Sequence, residues 1–241
     1  MDLSHSTLEA NKLLSLLSRE DRIALSVLLR PVSLERGKMI AKTDTEIDTV
    51  YFLTSGIGSV LLRSARGRAV EAGLFGFDGY VPTAALAGAE SSSYDVVVQI
   101  PAEGFAMDYV PFRRWMDENR RFQRIMIRSM EAFAVQLAYT AVSNAIHEVP
   151  QRLARWLLMC DDRIAGNEIT LTHEYLSIML GVRRPSVTTS LHELEGRGLI
   201  RARRGNIVIR NRKGLEQYAQ DAYGYAEREY YRLMHGVRIE E

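Results

Sequence analysis

The stretch from Thr170 to Ile200, TLTHEYLSIMLGVRRPSVTTSLHELEGRGLI, constrains this chain more than any other, because its residues fit two helices joined by a tight turn. Thr172 offers a side-chain oxygen where the first helix needs a cap, and Glu174 lies in its first turn. Leu176, Met179 and Leu180 supply the inner face. Gly181 stands where a left-handed backbone is needed to leave that helix. Val182 fills the corner, and Ser177 is small where the two helices approach. Pro185 suits the first turn of the second helix, where its missing N–H costs nothing. Val187, Leu191 and Leu194 would then be buried. Arg184, Ser186, Thr188 and Thr189 are left on the outward N-terminal face, residue types suited to base edges and phosphates.

Gly196 and Gly198 stop the second helix. Beyond them Leu199-Ile200-Arg201 can pair with Ile207-Val208-Ile209 across Arg203-Arg204-Gly205-Asn206, which predicts a two-stranded wing with a basic tip. The chain is close to neutral, with 31 Lys and Arg against 30 Asp and Glu in 241 residues. That balance excludes a globally basic coat for nucleic acid and leaves the distribution of charge as the question. Between Arg183 and Lys213, nine basic residues (183, 184, 197, 201, 203, 204, 210, 212, 213) stand against two acidic ones (193, 195), a local balance of +7. A neutral protein has gathered its positive charge in one place. Thr172, Arg183, Arg184, Pro185, Ser186, Thr188, Thr189, Arg203 and Arg204 are therefore the candidate contacts to double-stranded DNA. The alternative is a ligand-binding or protein-interaction module whose winged helix docks a protein partner.

Upstream, the periodicity changes twice. From Ser6 to Leu29 the apolar residues fit short helices broken near Ser18, a candidate cap, and Pro31 ends that stretch. From Val32 to Met107 short β-rich runs alternate with turn residues: Met39–Ile40, Thr49–Leu53, Ser59–Leu62, Ala69–Leu74 and Asp95–Ile100, with turns at Gly37, Gly56 and Gly67. Such a pattern predicts an antiparallel sandwich or barrel. From Phe112 the period becomes helical. Met126, Met130, Phe133, Leu137, Thr140 and Asn144 are spaced alternately by four and three, the seam of a helix that pairs with a second copy in a homodimer. Ordinary packing of an amphipathic helix on its own domain is the alternative, and the helix's length favours the dimer. Pro150 restarts the chain as a further helix to about Arg163, with Leu153, Trp156, Leu157 and Cys160 on one face. Leu215 to Met234 reads as a Tyr-rich helix expected to pack on the winged domain, with contact to the barrel or to RNA polymerase as the alternatives.

Several chemistries are excluded by inventory. Cys160 is the sole cysteine, so it makes no disulfide within the chain and no multi-thiolate metal or cluster site. It is expected to be a small buried hydrophobe. No His lies between His5 and His147, so the β-rich part offers no imidazole for a metal-dependent oxygenase, a Ser-His-Asp hydrolase or a haem. No metal, cofactor or enzymatic activity is expected. There is no basic n-region with an apolar run, and no window long enough to span a bilayer. The chain reads as cytoplasmic with no membrane partner.

In this order, helices, β-barrel, long helix and winged helix-turn-helix, the chain resembles the Crp/Fnr superfamily of bacterial transcription regulators over nearly its full length. The matching residues are Val50-Tyr51-Phe52-Leu53-Thr54-Ser55-Gly56, the segment from Gly73 to Gly79, Leu153-Ala154-Arg155-Trp156-Leu157-Leu158, and Gly181-Val182-Arg183-Arg184-Pro185-Ser186-Val187-Thr188. The resemblance implies an α+β fold: N-terminal helices with a jelly-roll, cyclic-nucleotide-binding-like barrel (1–111), a dimerisation helix (112–147), and a winged DNA-binding domain (148–241). It also implies that Arg184, Ser186 and Thr189 contact bases or phosphates, and that RNA polymerase is a partner. Pro185 and Thr189 stand where cyclic-AMP-responsive members place a glutamate and an arginine, so a different operator is implied. From Ala69 to Phe112 there is no Lys or Arg, against Glu71, Asp78, Glu90, Asp95, Glu103 and Asp108. The phosphate of a cyclic nucleotide would find no cation there, which argues against control by cyclic AMP. The iron–sulfur branch is excluded by its cysteine requirement. The Gly73–Tyr80 and Ser91–Tyr94 runs either line a small effector pocket or make turns over an ordinary core.

Overall fold

The structure, a computed structural model, describes residues 8–166, 168–203 and 205–239. The chain divides into two compact units: Met1–Val60, Leu74–Ala134 and Glu229–Glu241 make the first, Leu61–Gly73 and Val135–Arg228 the second.

In the first unit, a single-turn 3₁₀ helix at Leu14–Leu16 precedes α1 (Arg19–Ser26). The break near Ser18 lies where the sequence placed it: the Ser18 hydroxyl accepts the Asp21 N–H at 3.0 Å. Seven strands follow: β1 (Leu29–Leu34), β2 (Met39–Ala41), β3 (Thr49–Leu53), β4 (Ile57–Arg63), β5 (Ala69–Phe75), β6 (Asp95–Ile100) and β7 (Ala102–Asp108). They form two antiparallel sheets, ordered β1-β7-β3 and β2-β6-β4-β5. The expected barrel is thus realised as two sheets that do not close into one hydrogen-bonded cylinder among the described residues. Isolated bridges, such as Tyr51 to Val81, add pairings outside the named strands. Periodicity had passed over β1 and β7. Pro31, read as the end of a helix, lies inside β1 opposite Phe105. It is tolerated there because β1 is an edge strand, where a missing N–H breaks no ladder. The turns at Gly37, Gly56 and Gly67 have φ of 86°, 75° and 78°. At Gly56 a Cβ would also meet the Pro101 carbonyl at 2.4 Å, so glycine is required twice over.

The core of this unit is aromatic. Phe112 stands edge-on to Phe122 at 5.8 Å, and Phe52 lies 6.2 Å from Tyr80 and 6.3 Å from Phe122. Asn11, which no sequence signal singled out, is fully buried beside them. Its amide donates to the carbonyls of Leu53 (2.8 Å) and Gly79 (3.1 Å), and its oxygen accepts from the N–H groups of Leu13 and Leu14. The helical stretch beginning at Phe112 is two helices, α2 (Tyr109–Glu118) and α3 (Arg120–Ile146). Asn119 makes the break with an extended backbone, and its side chain caps α3 by accepting the Phe122 N–H at 2.7 Å.

The second unit holds the far ends of β4 and β5 with their turn, the later half of α3, and then α4 (Val149–Asp161), β8 (Glu168–Ile169), α5 (His173–Leu180), α6 (Arg184–Gly196), β9 (Ile200–Arg203), β10 (Asn206–Ile209) and α7 (Arg212–Ala219). α4 starts on a capping box of Glu148 and Gln151. Its buried face carries Leu153, Trp156, Leu157 and Cys160. Burial holds the Cys160 thiol well above its ordinary range. Trp156 Nε1 donates to Glu71 Oε1 at 2.5 Å, giving this β5 carboxylate a buried partner on α4. The Tyr-rich region is two helices, because Gly224 (φ 106°) separates α7 and a 3₁₀ turn from α8 (Tyr225–Ile239). Its packing favours the barrel alternative over the winged domain for the second of these helices: residues from Glu229 onward belong to the first unit, where Met234 joins the core and Arg128 donates to the Leu233 carbonyl at 3.1 Å.

Candidate nucleic-acid interface

α5 begins as its sequence implies, with the Thr172 oxygen accepting the Tyr175 N–H at 3.3 Å, and ends at Gly181 with φ 63°. Arg152 of α4 donates a guanidinium N–H to the carbonyl of Leu180, satisfying an orphan acceptor at that helix end. After the corner Gly181–Arg183, Pro185 occupies the first turn of α6. Leu176, Met179, Leu180, Val187, Leu191 and Leu194 are all buried, so the inner faces of both helices are those the spacing predicted.

This packing decides what α6 shows to solvent. Arg183, Arg184, Pro185 and Thr189 are exposed, with Ser186 and Thr188 half-buried at the edge of the same face. The Thr188 and Thr189 hydroxyls donate to the carbonyls of Arg184 (3.2 Å) and Pro185 (3.1 Å). Their oxygens keep acceptor capacity for a base amino group, while the Thr172 hydroxyl keeps its proton for a phosphate. Across the corner, Arg184 Nη2 pairs with Glu174 Oε2 at 2.7 Å, and Thr188 Oγ1 lies 3.3 Å from His173 Nδ1. The opening turns of α5 and α6 therefore form one polar edge. Sequence reasoning noted Glu174 only as a first-turn acid. Its partner stands ten positions on, across the turn, at a spacing no helix period reports.

The wing is built of β9 and β10 with Arg203 opposite Asn206 and Ile200 opposite Ile209. β8 adds a third strand, Ile169 pairing with Ile207, which the sequence reading missed because two residues carry no period. Glu195 accepts the Ala202 N–H at 3.0 Å and so ties the wing to the end of α6. Arg201 and Arg203 are exposed on β9, and Arg204 lies outside the described residues. Not all of the +7 segment faces outward. Arg212 turns back to Asp161, Asp162 (2.6 Å) and Glu216 (3.0 Å), and Arg197 pairs with Glu193 at 3.2 Å. Partial burial works against the Arg212 charge, but the Asp162 and Asp161 carboxylates outweigh it and hold the guanidinium protonated beyond its ordinary range. Arg212 is thus a clamp between α7 and α4. The outward charge of the segment is carried by Arg183, Arg201, Arg203, Arg210 and Lys213, all exposed, with Arg184 sharing its charge with Glu174.

The expected seam on α3 divides by burial. Met126 and Phe133 are buried, Phe133 stacking on Phe75 at 4.2 Å, so neither has surface left to offer a second copy. Thr140 is half-buried, donating to the Gln136 carbonyl at 2.9 Å and accepting from Arg155 at 3.1 Å. Met130 and Asn144 are exposed and Leu137 half-exposed. The unpartnered apolar line runs through Ile127, Met130, Ala134, Leu137 and Ala141, one residue later than expected at alternate positions. A four-and-three spacing fits either line, and only the packing of the chain's own core tells them apart.

Among the described residues no group of His, Cys, Asp or Glu is placed to hold a metal ion. No helix among them is long and apolar enough to cross a membrane.

Residues 151–218 match the Crp-like helix-turn-helix domain. The CRP-like cAMP-activated global transcriptional regulator of Mycobacterium tuberculosis is 22% identical over 206 residues, covering 82% of this chain and 91% of that protein. A CRP-family transcriptional regulator from Thermus thermophilus superposes with a TM-score of 0.66 at 21% identity, over 78% of this chain and 96% of the other. The c-di-GMP-responsive global regulator CLP of Xanthomonas campestris gives 0.65 at 15% identity, over 80% and 99%. Residues 151–218 are thus a Crp-like helix-turn-helix domain, and the chain shares the fold of Crp/Fnr-family transcription regulators along most of its length.

Proposed function

We propose that the protein is a cytoplasmic homodimer that binds a two-fold symmetric DNA site, placing its two α6 helices in successive major grooves roughly 34 Å apart. The observation that carries this reading is the exposed edge of Arg184, Ser186, Thr188 and Thr189, held outward by the buried Val187, Leu191 and Leu194. Arg184 reads a guanine edge, and Arg183, Arg203 and Arg204 bind phosphates on either side. Pairing runs along the exposed α3 line of Ile127, Met130, Ala134, Leu137 and Ala141. In functional terms residues 1–111 form the sensor, 112–147 the dimer helix and 148–241 the DNA reader, with RNA polymerase as the protein partner and no enzymatic step.

Control by cyclic AMP does not fit the first unit. Three of the cations that follow the stretch without Lys or Arg are engaged by backbone carbonyls: Arg113 by Leu86 (2.8 Å), Arg121 by Leu16 (2.7 Å) and Arg128 by Leu233 (3.1 Å). Asp95 is buried as an acceptor for Thr43, where an anionic phosphate would be repelled. The test is selection of bound sequences from a random duplex pool without added ligand, followed by salt titration. A two-fold symmetric site is expected. Arg184→Ala should weaken binding to that site and relax one base position. Arg203→Ala should weaken binding to every sequence and flatten the salt slope by about 0.9. Equal losses for both variants on selected and scrambled duplexes would remove the role given to Arg184, and salt-insensitive or absent binding would favour a protein partner for the winged helix.

A further inference from the structure

The DNA-facing edge contains one group whose charge is wrong for its place. Glu174 is the only carboxylate between Thr170 and His192, and it is exposed on the first turn of α5. Its own helix gives it one reason to be there, since an acid in the first turn complements the helix dipole. The structure gives it a second: Glu174 Oε2 lies 2.7 Å from Arg184 Nη2, with both side chains well exposed. The pair spans the corner of the helix-turn-helix and joins the two turns that approach DNA.

Resting on the DNA-binding reading above, we propose that Glu174 is a positioning residue that sets sequence discrimination by holding Arg184 for a base and away from the phosphates. A guanidinium has five N–H donors in a rigid fork. One engaged by Glu174 leaves others aimed outward, enough for the O6 and N7 acceptors of a guanine, and the carboxylate fixes the plane of the fork before contact. On DNA of the wrong sequence, Arg184 finds no base partner. An unpaired arginine would then swing to a phosphate and contribute to non-specific binding. Paired with Glu174 it is electrically neutralised, and the carboxylate adds repulsion at the sugar–phosphate surface. The ion pair thus costs little at the correct site and weakens every incorrect one. Discrimination rests on suppressing alternatives as well as on the favourable contact. His173, 3.3 Å from Thr188 Oγ1, is the other group facing this edge from α5 and carries no negative charge in either protonation state.

The experiment compares the full-length protein with Glu174→Gln and Glu174→Asp on two duplexes of equal length: the selected site and a scrambled version. Glu174→Gln should bind the scrambled duplex more tightly, with its log–log salt slope steeper by about 0.9 as one more phosphate is neutralised. The ratio of selected to scrambled affinity should fall roughly threefold or more, in line with an exposed ion pair's modest strength. Glu174→Asp keeps the charge and should restore much of the ratio. Adding Glu174→Gln to Arg184→Ala should change scrambled-duplex affinity far less than it does in the wild-type background, because the charge to be released is gone. A purely structural helix-end role predicts equal shifts on both duplexes with unchanged slopes, and that result would overturn the proposal while leaving DNA binding intact. Loss of all duplex binding by the wild-type protein would overturn the underlying reading as well.

Discussion

Replacing Asn11 with alanine tests whether the first unit is pinned by one buried amide. The side chain makes four hydrogen bonds to backbone groups of three segments: Leu53 and Gly79 accept, Leu13 and Leu14 donate. Truncation leaves two carbonyls and two N–H groups facing a space from which solvent is excluded. A buried group stripped of its partner costs about 1–3 kcal/mol. A water entering the vacated volume can satisfy some of the four, so the net loss should be about 3–5 kcal/mol rather than the full sum. Urea unfolding followed by far-ultraviolet circular dichroism would show the midpoint fall. Asn11→Asp sharpens the test. At neutral pH its carboxylate would still accept from Leu13 and Leu14 but would face the Leu53 and Gly79 carbonyls with no proton to donate. It should be at least as damaging as alanine there and recover in part as the pH falls through the carboxylate's titration. An alanine variant within about 1 kcal/mol of wild type, where a normal surface substitution falls, would refute the reasoning.

Two further outcomes follow from the same burial map. Ile127→Asp and Ala141→Asp lie on the exposed α3 line and should shift sedimentation toward monomer while leaving the circular dichroism spectrum unchanged; dimers of wild-type strength in both would disprove the assigned line. Burial raises the Cys160 thiol, so the folded state holds this proton more tightly than the unfolded chain does. Its contribution to stability is complete below the thiol's ordinary value of 9.0 and declines as pH rises above it. Cys160→Ala should flatten that decline by up to about 1.4 kcal/mol per pH unit, measured by urea unfolding between pH 8 and about 10.5. An unchanged slope would contradict it.

What could be read from the sequence was whatever is encoded locally. The Thr172 cap, the Gly181 exit, Pro185 in the first turn of α6 and the buried triplet of Val187, Leu191 and Leu194 each depend on neighbours within a few positions, and all stand as read. Long-range partnerships left no such trace. Asn11 meets Gly79, Trp156 meets Glu71, and Met234 enters a core made largely by residues before Ala134. The burial of Met126 and Phe133 of α3 within the chain left no trace for a related reason. Apolar residues cover two adjacent lines of that helix, and which one the chain hides depends on Phe75 and the rest of the core. Pro31 misled because a strand edge and a helix end both accept proline.

The capture of α8 by the first unit has a bearing on how the protein is made. Met234 belongs to a core whose other members lie between Leu8 and Ala132. The residues that leave the ribosome first therefore wait for some of the last. At the usual 5–20 residues per second, the 94 positions between Ala134 and Glu229 take about 5–20 s to synthesise. Over that interval the aromatic cluster around Phe52 and Phe112 is formed with one side open, and the winged unit, whose helix-turn-helix and wing are local in sequence, can fold before its predecessor is complete. Nascent chains stalled before residue 229 should accordingly expose apolar surface that full-length chains do not, which makes the first unit the natural client of a chaperone during synthesis.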